Sequence, residues 1–201
     1  MSTQKQLTGQ SLYALLRVLC LALSGVASCL VPTGVQADTG GQITVRDAHA
    51  WYDEDGWFMD AQCGIQLSPG AQEALENGIP LVFELRVQIV RTHRWLWDSI
   101  EHERTLLRQL QYHALSRSYL VKDLGSGSQG VYSALEDALY AAGLIDTLLL
   151  TDTLLDSDRK YIVRLRGSHD IESLPTPVRL LAYVSARWDM DSQWHSWQLA
   201  R

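Results

Sequence analysis

Hydrophobic and polar positions alternate most cleanly between Ile79 and Asp98. Leu81, Phe83, Leu85, Val87 and Ile89 fall on one face of an extended segment, Pro80 to Val90, while Glu84, Arg86 and Gln88 fall on the other. That period of two belongs to a half-buried strand and predicts a central strand in a sheet with one wet face. Strands of a βαβ unit are apolar on both faces, so the pattern also predicts antiparallel pairing.

Upstream, Ile43 to Tyr52 reads as a strand whose parity slips: Ile43 and Val45 share one face, then Ala48, Ala50 and Tyr52 take over. A one-residue slip implies a bulge near Arg46 and Asp47. Asp53 to Gly56 is a turn into a second strand, with Trp57, Met59, Ala61, Cys63, Ile65 and Leu67 inward, completing a hairpin. Ser68 caps a short helix that has Pro69 at its first position and ends at Asn77 and Gly78.

Downstream, residues 99–115 fit two periods. Asp98 with Glu101 resembles a capping box before a helix, yet Ile100, Leu106, Leu110 and Tyr112 also fit one strand face. Gly125 to Gly130 is a turn, Val131 and Tyr132 a short strand, and Ser133 with Glu136 predicts a capped helix stopped by Gly143. Leu144 to Leu150 predicts a buried strand, and Tyr161, Val163 and Leu165 mark another. Val178, Leu180, Ala182, Val184 and Ala186 share one face of a predicted last strand. In the tail, Trp194 and Trp197 would be neighbours on a helix. The fold class expected is α+β, mainly antiparallel, sandwich-like, with about eight strands and two short inserted helices.

The first 37 residues change where such a domain would work. Lys5 and Arg17 precede an apolar run from Val18 to Val31, then Pro32, Gly34 and the small-residue ending at Ala37. These are the parts of a secretory signal peptide, with cleavage expected between Ala37 and Asp38. The 14-residue run is short of the roughly 20 that span a bilayer core. Val26 to Cys29 offers an alternative lipobox in which Cys29 would be lipidated and the domain anchored to the envelope. Cleavage after Ala37 leaves residues 38–201 as a single periplasmic globular domain with Cys63 as its lone cysteine, so no internal disulfide can form. That domain keeps all 23 acidic residues and 15 of the 17 basic ones, a net charge of −8. Such a balance argues against nucleic acid or anionic lipid headgroups as partners.

Several motifs have plainer explanations. Gly125, Gly127 and Gly130 satisfy a dinucleotide fingerprint, but Val131 and Tyr132 separate them from the helix whose N-terminus would have to face a pyrophosphate, so a hairpin turn accounts for them. The six histidines show no metal-ligand spacing, and the runs Asp53, Asp55 and Asp152, Asp156, Asp158 do not match a calcium loop. No metal or cofactor is implied. Cys63, inward on its strand, reads as a small core hydrophobe.

The surplus is in tryptophan, seven residues in all. Trp95 and Trp97 are two apart and project to one side of an extended chain. Core packing is the favoured use of such rings, and stacking on sugars, peptides or proteins is the other. Arg94, Trp95, Trp97, Asp98 and Trp194 are the candidate binding residues.

Trp95, Trp97, Asp98, Leu110, Tyr112, Leu115, Tyr119, Leu135, Ala138, Leu139, Leu174, Pro175, Pro177, Trp188, Ser192 and Trp194, taken in order, give the chain a pattern. It resembles a small exported proteobacterial family known as domain of unknown function 4390. The resemblance implies a signal peptide and one domain outside the cytoplasmic membrane, in a role suited to an accessory of a two-component sensor kinase. It brings no assigned catalytic residues. It also favours strand for residues 99–115, paired with Tyr119 to Lys122. The expected function is a non-enzymatic binding module whose partner is an envelope protein or cell-wall component. The alternative is an envelope hydrolase using Asp98 with Glu101 or Glu103 as acid and base, which requires two carboxyls facing one cleft.

Overall fold

The computed structural model describes residues 40–93, 97–184 and 188–199. Among them, nine strands form two antiparallel sheets. The first sheet has the order β1-β2-β7, built from β1 (Gln42–Asp53), β2 (Gly56–Gln66) and β7 (Leu144–Thr151). The second has the order β6-β5-β4-β3-β8-β9, with β3 (Leu81–Arg91), β4 (Ser99–His113), β5 (Ser118–Asp123), β6 (Gln129–Tyr132), β8 (Tyr161–His169) and β9 (His195–Gln198). Three short helices, α1 (Pro69–Glu76), α2 (Leu135–Gly143) and α3 (Thr176–Val184), complete an α+β fold.

β3 is interior to its sheet, pairs antiparallel on both sides, and buries Leu81, Phe83, Leu85, Val87 and Ile89. Its other face is less wet than its polarity suggests. Gln88 is buried there because Glu103 of β4 and Arg164 of β8, each directly opposite in register, close over it with side-chain hydrogen bonds. Residues 99–113 are strand, and β5 pairs back on them from Arg108↔Asp123 to His113↔Ser118.

The first hairpin follows the sequence closely. Its register jumps between Val45 and Asp47, which leaves Arg46 as the bulged residue, and Trp57, Met59, Ala61, Cys63 and Ile65 are all buried. The Ser68 hydroxyl accepts the Ala71 N–H at 3.2 Å, with Pro69 opening α1 and Asn77 closing it. The inward residues of both sheets, Ile43, Met59 and Cys63 from one and Leu85, Val163 and Leu165 from the other, belong to one hydrophobic core.

Three expectations are corrected. Residues 176–184 are a helix, not a strand. Val178, Leu180, Ala182 and Val184 alternate in sequence, but Pro175 and Pro177 pre-set a helix start, and the Pro175 carbonyl accepts the N–H groups of Val178 and Arg179 at 3.0 and 2.9 Å. Helical spacing then splits the supposed face: Ala182 is 4% exposed and Val184 83%. The second helix has Ala134, not Ser133, at its N-cap, with no side-chain cap. Glu136 and Asp137 in its first turn complement the helix dipole instead. β7 is an edge strand only partly buried: Ile145 and Leu150 face the core, while Leu144 and Leu149 stay exposed. The register slips between Ile145 and Leu148, where Thr147 takes a positive φ of 47° and donates its N–H to Asp60 Oδ1 at 2.7 Å, so parity does not carry through.

Candidate functional site

Four of the five candidate binding residues, Arg94, Trp95, Trp97 and Asp98, fall in sequence between β3 and β4. Arg94 and Trp95 lie outside the described residues, as do Cys29, Ala37 and Asp38. At the ends of this loop, the His93 N–H donates to Asp98 Oδ1 at 3.2 Å, and the Thr92 N–H donates to the Lys160 carbonyl at 3.0 Å, which ties the loop to the start of β8. Trp97 stands 93% exposed beside this clasp. Keeping a large ring in water forgoes on the order of 3 kcal/mol of burial free energy.

Trp194 belongs to a different place. It precedes β9, half-buried, with the Arg164 guanidinium 4.7 Å from its ring centroid. The Arg164 Nε donates to Gln88 Oε1 at 2.6 Å, and Gln88 in turn donates to Glu103, so a polar chain crosses three strands, β4, β3 and β8, and ends on the Trp194 ring. His195 is opposite Leu165, whereas the β3–β4 loop leaves beside Tyr161. That is four residues of β8, roughly 13 Å at strand rise. Trp97 and Trp194 therefore do not form one aromatic platform. In the tail the chain is strand, so Trp194 and Trp197 are not helical neighbours, and Trp197 packs against the core.

Trp194 borders a groove of about 320 Å³ together with Arg86, Arg166, His169, Tyr183 and Asp191. Arg166 pairs with Asp191 at 2.7 Å, and Arg86 with Glu84. His169 is 6% exposed and lies against the rings of Trp188 and Phe83. Burial pushes its pKa below the ordinary value of 6.5, against the smaller opposing pull of the Trp188 backbone, Asp170 and Asp191. The parity of His169 with Val163 and Leu165 on β8 was the available signal that it points inward.

The carboxylates of the hydrolase reading are on the open surface of β4 and its leading loop. Glu101 pairs with Arg91 at 3.0 Å and accepts from Ser99 Oγ at 2.9 Å, Glu103 accepts from Gln88, and Asp98 accepts from His93. Each is engaged by a neighbour rather than aimed with another into a cleft. Cys63 is buried, and desolvation pushes its thiol up to about 11, which removes the thiolate a nucleophile needs. The glycine-rich stretch is a hairpin turn in which Asp123 Oδ1 accepts from Gly125 and Ser126 at 2.7 and 3.0 Å, and the next helix begins only after β6. Among the described residues, no helix is long and apolar enough to cross a membrane, and no group of three or more His, Cys, Asp or Glu side chains is placed to hold a metal.

Many of the residues that carry the sequence pattern have structural work. Leu110 and Leu174 are fully buried, the rings of Tyr112 and Tyr119 lie 4.9 Å apart across β4 and β5, and Ser192 binds Gly167. No curated protein and no solved structure matches the chain. A family described as a domain of unknown function (DUF4390) matches residues 41–198, which run from the residue before β1 to the last residue of β9, and the chain belongs to that family.

Proposed function

We propose that this chain is an exported, non-enzymatic interaction module of the cell envelope. In this reading the segment ending at Ala37 is removed as a signal peptide, the single domain beginning at Asp38 works in the periplasm, and its partner is an envelope protein or cell-wall component. The observation that carries the reading is Trp97, 93% exposed on a loop that connects the two strands with the most extensive pairing in the larger sheet. An aromatic ring presented from a rigid base is the commonest form of interface anchor. The engagement of Asp98, Glu101 and Glu103 by neighbouring groups supports binding over hydrolysis. We further propose that the two sheets face each other as a sandwich. Gly167 of β8 supports this, since a Cβ there would come within 2.5 Å of Ile43 Cγ2 of β1, as does the 3.3 Å separation of Thr151 Oγ1 on β7 from His102 Nε2 on β4.

Expression in a Gram-negative host, followed by fractionation and intact mass, tests the export step. A soluble periplasmic species beginning at Asp38 is expected. A membrane-bound species beginning at a lipidated Cys29 would replace the free module with an anchored one, and a cytoplasmic species retaining residues 1–37 would overturn the reading.

A further inference from the structure

The free edge of β2 carries a second surface that shares no residue with the Trp97 loop. β2 pairs with β1 along its whole length, from Asp53↔Gly56 to Gln42↔Gln66, but with β7 only as far as Gln62↔Leu144. Beyond Gln62, no strand among the described residues covers that side. The ladder is closed off by the Gln62 side chain, whose Nε2 donates to the Cys63 carbonyl at 2.9 Å and to the Tyr140 carbonyl at 3.2 Å. Its Oε1 is buried with no donor.

Main-chain groups alternate sides along an antiparallel strand. The Gly64 carbonyl faces β1, where it accepts from Thr44 Oγ1, and the Cys63 carbonyl faces the other way, so the N–H and C=O of Ile65 face the uncovered side. That side opens into a groove of about 580 Å³ whose lining includes Gln62, Ile65, Gln72, Leu139 and Tyr140, a strand edge next to helix α2.

Arg46 enters the same groove. As the bulged residue of β1 it is left out of the ladder, and its side chain crosses the face of Gly64 so closely that a Cβ there would be 2.3 Å from its Nε. A bulge is a common device for re-aiming a side chain, and a glycine inside a strand often marks such a close approach. Among the described residues, the Arg46 side chain makes no hydrogen bond or ion pair, although Glu136 lines the same groove.

We propose that this groove takes an extended segment of a partner polypeptide, which adds as a strand along the β2 edge at Ile65 and presents a carboxylate to Arg46. Strand addition supplies the complement to the unpaired main-chain groups. Arg46 supplies the selection for acidic over basic side chains, since a guanidinium and a carboxylate form a charge-assisted bond.

The test uses the full chain labelled for amide NMR and two blocked pentapeptides of alternating Val and Thr that differ only in a central Asp or Lys. The Asp peptide is expected to bind about tenfold tighter, the ratio a charge-assisted hydrogen bond supplies, and to slow hydrogen exchange at the Ile65 amide. Arg46→Glu, at an exposed side chain without partners, is expected to keep the fold and reverse the ranking, while Trp97→Ala leaves both affinities unchanged. The proposal is overturned if neither peptide alters the Ile65 amide or if the two bind equally. It is also overturned if that amide is already protected in the free protein, whether by a second copy in a dimer or by the chain itself.

Discussion

Ser192 and Gly167 hold each other by a reciprocal pair of bonds: the Gly167 N–H donates to Ser192 Oγ at 2.8 Å, and the Ser192 N–H donates to the Gly167 carbonyl at 2.8 Å. The clasp brings the tail to β8 three residues before β9 begins and thereby positions Trp194. Ser192→Ala leaves a buried N–H unpaired, so a loss of about 1–2 kcal/mol is expected. For a chain of this size that is a fall of roughly 3–6 °C in Tm. Ser192→Thr, which keeps the acceptor, is expected to restore most of it; equal losses in the two variants would show that the hydroxyl does not hold the tail.

Arg108 and Asp123 form an ion pair between β4 and β5 with both side chains mostly buried, and burial pushes the Arg108 pKa down. Removing one charge of such a pair leaves the other buried and unpaired. Asp123→Asn, which keeps an oxygen for the Gly125 and Ser126 N–H groups, is expected to cost about 3 kcal/mol by denaturant unfolding. Adding Arg108→Met should recover much of that loss. A double variant no more stable than Asp123→Asn alone would contradict the account of the pair.

His169 links stability to pH. Its folded pKa lies below its ordinary value of 6.5, so the unfolded chain takes up the proton more readily. The stabilisation from keeping the ring neutral is complete above about pH 6.5 and is lost as pH falls through the depressed folded value. His169→Phe retains the ring packing against Trp188 and Phe83 and removes the proton site. Compared at pH 8 and pH 5, the wild type is expected to lose more stability than the variant; parallel losses would place the acid sensitivity elsewhere.

Cys63 gives a chemical check on both fold and processing. A thiol buried in the core and pushed up to about 11 should not react with an aromatic disulfide reagent at pH 8 while the protein is folded. After denaturation, the exported species is expected to titrate one thiol per chain rather than the three of the full sequence. Rapid reaction of the folded protein would contradict the buried position.

Local patterns were legible where one physical rule governed the segment. The period of two in β3, the parity slip at Arg46 and the Ser68–Pro69 helix start each follow from neighbours in sequence, and each appears in the structure. Residues 176–184 misled because alternating Val178, Leu180, Ala182 and Val184 satisfy the strand template as well as the helix one, and only the prolines ahead of them break the tie. β7 misled because Thr147 interrupts the alternation through a bond to Asp60, 87 positions away. The sites were less legible still. The chain from Glu103 through Gln88 and Arg164 to Trp194 depends on strand order, and the opening at Ile65 depends on where β7 stops pairing, neither of which is written in any short stretch of sequence.

Site-specific photocrosslinking in intact cells tests most directly whether Trp97 is an interface anchor. A photoreactive residue replaces Trp97 in one strain and Leu115, fully exposed on the β4–β5 turn, in another. A discrete crosslinked species is expected at position 97 and none at position 115. No species at position 97, or the same species at both positions, would contradict the role of this loop as the docking surface.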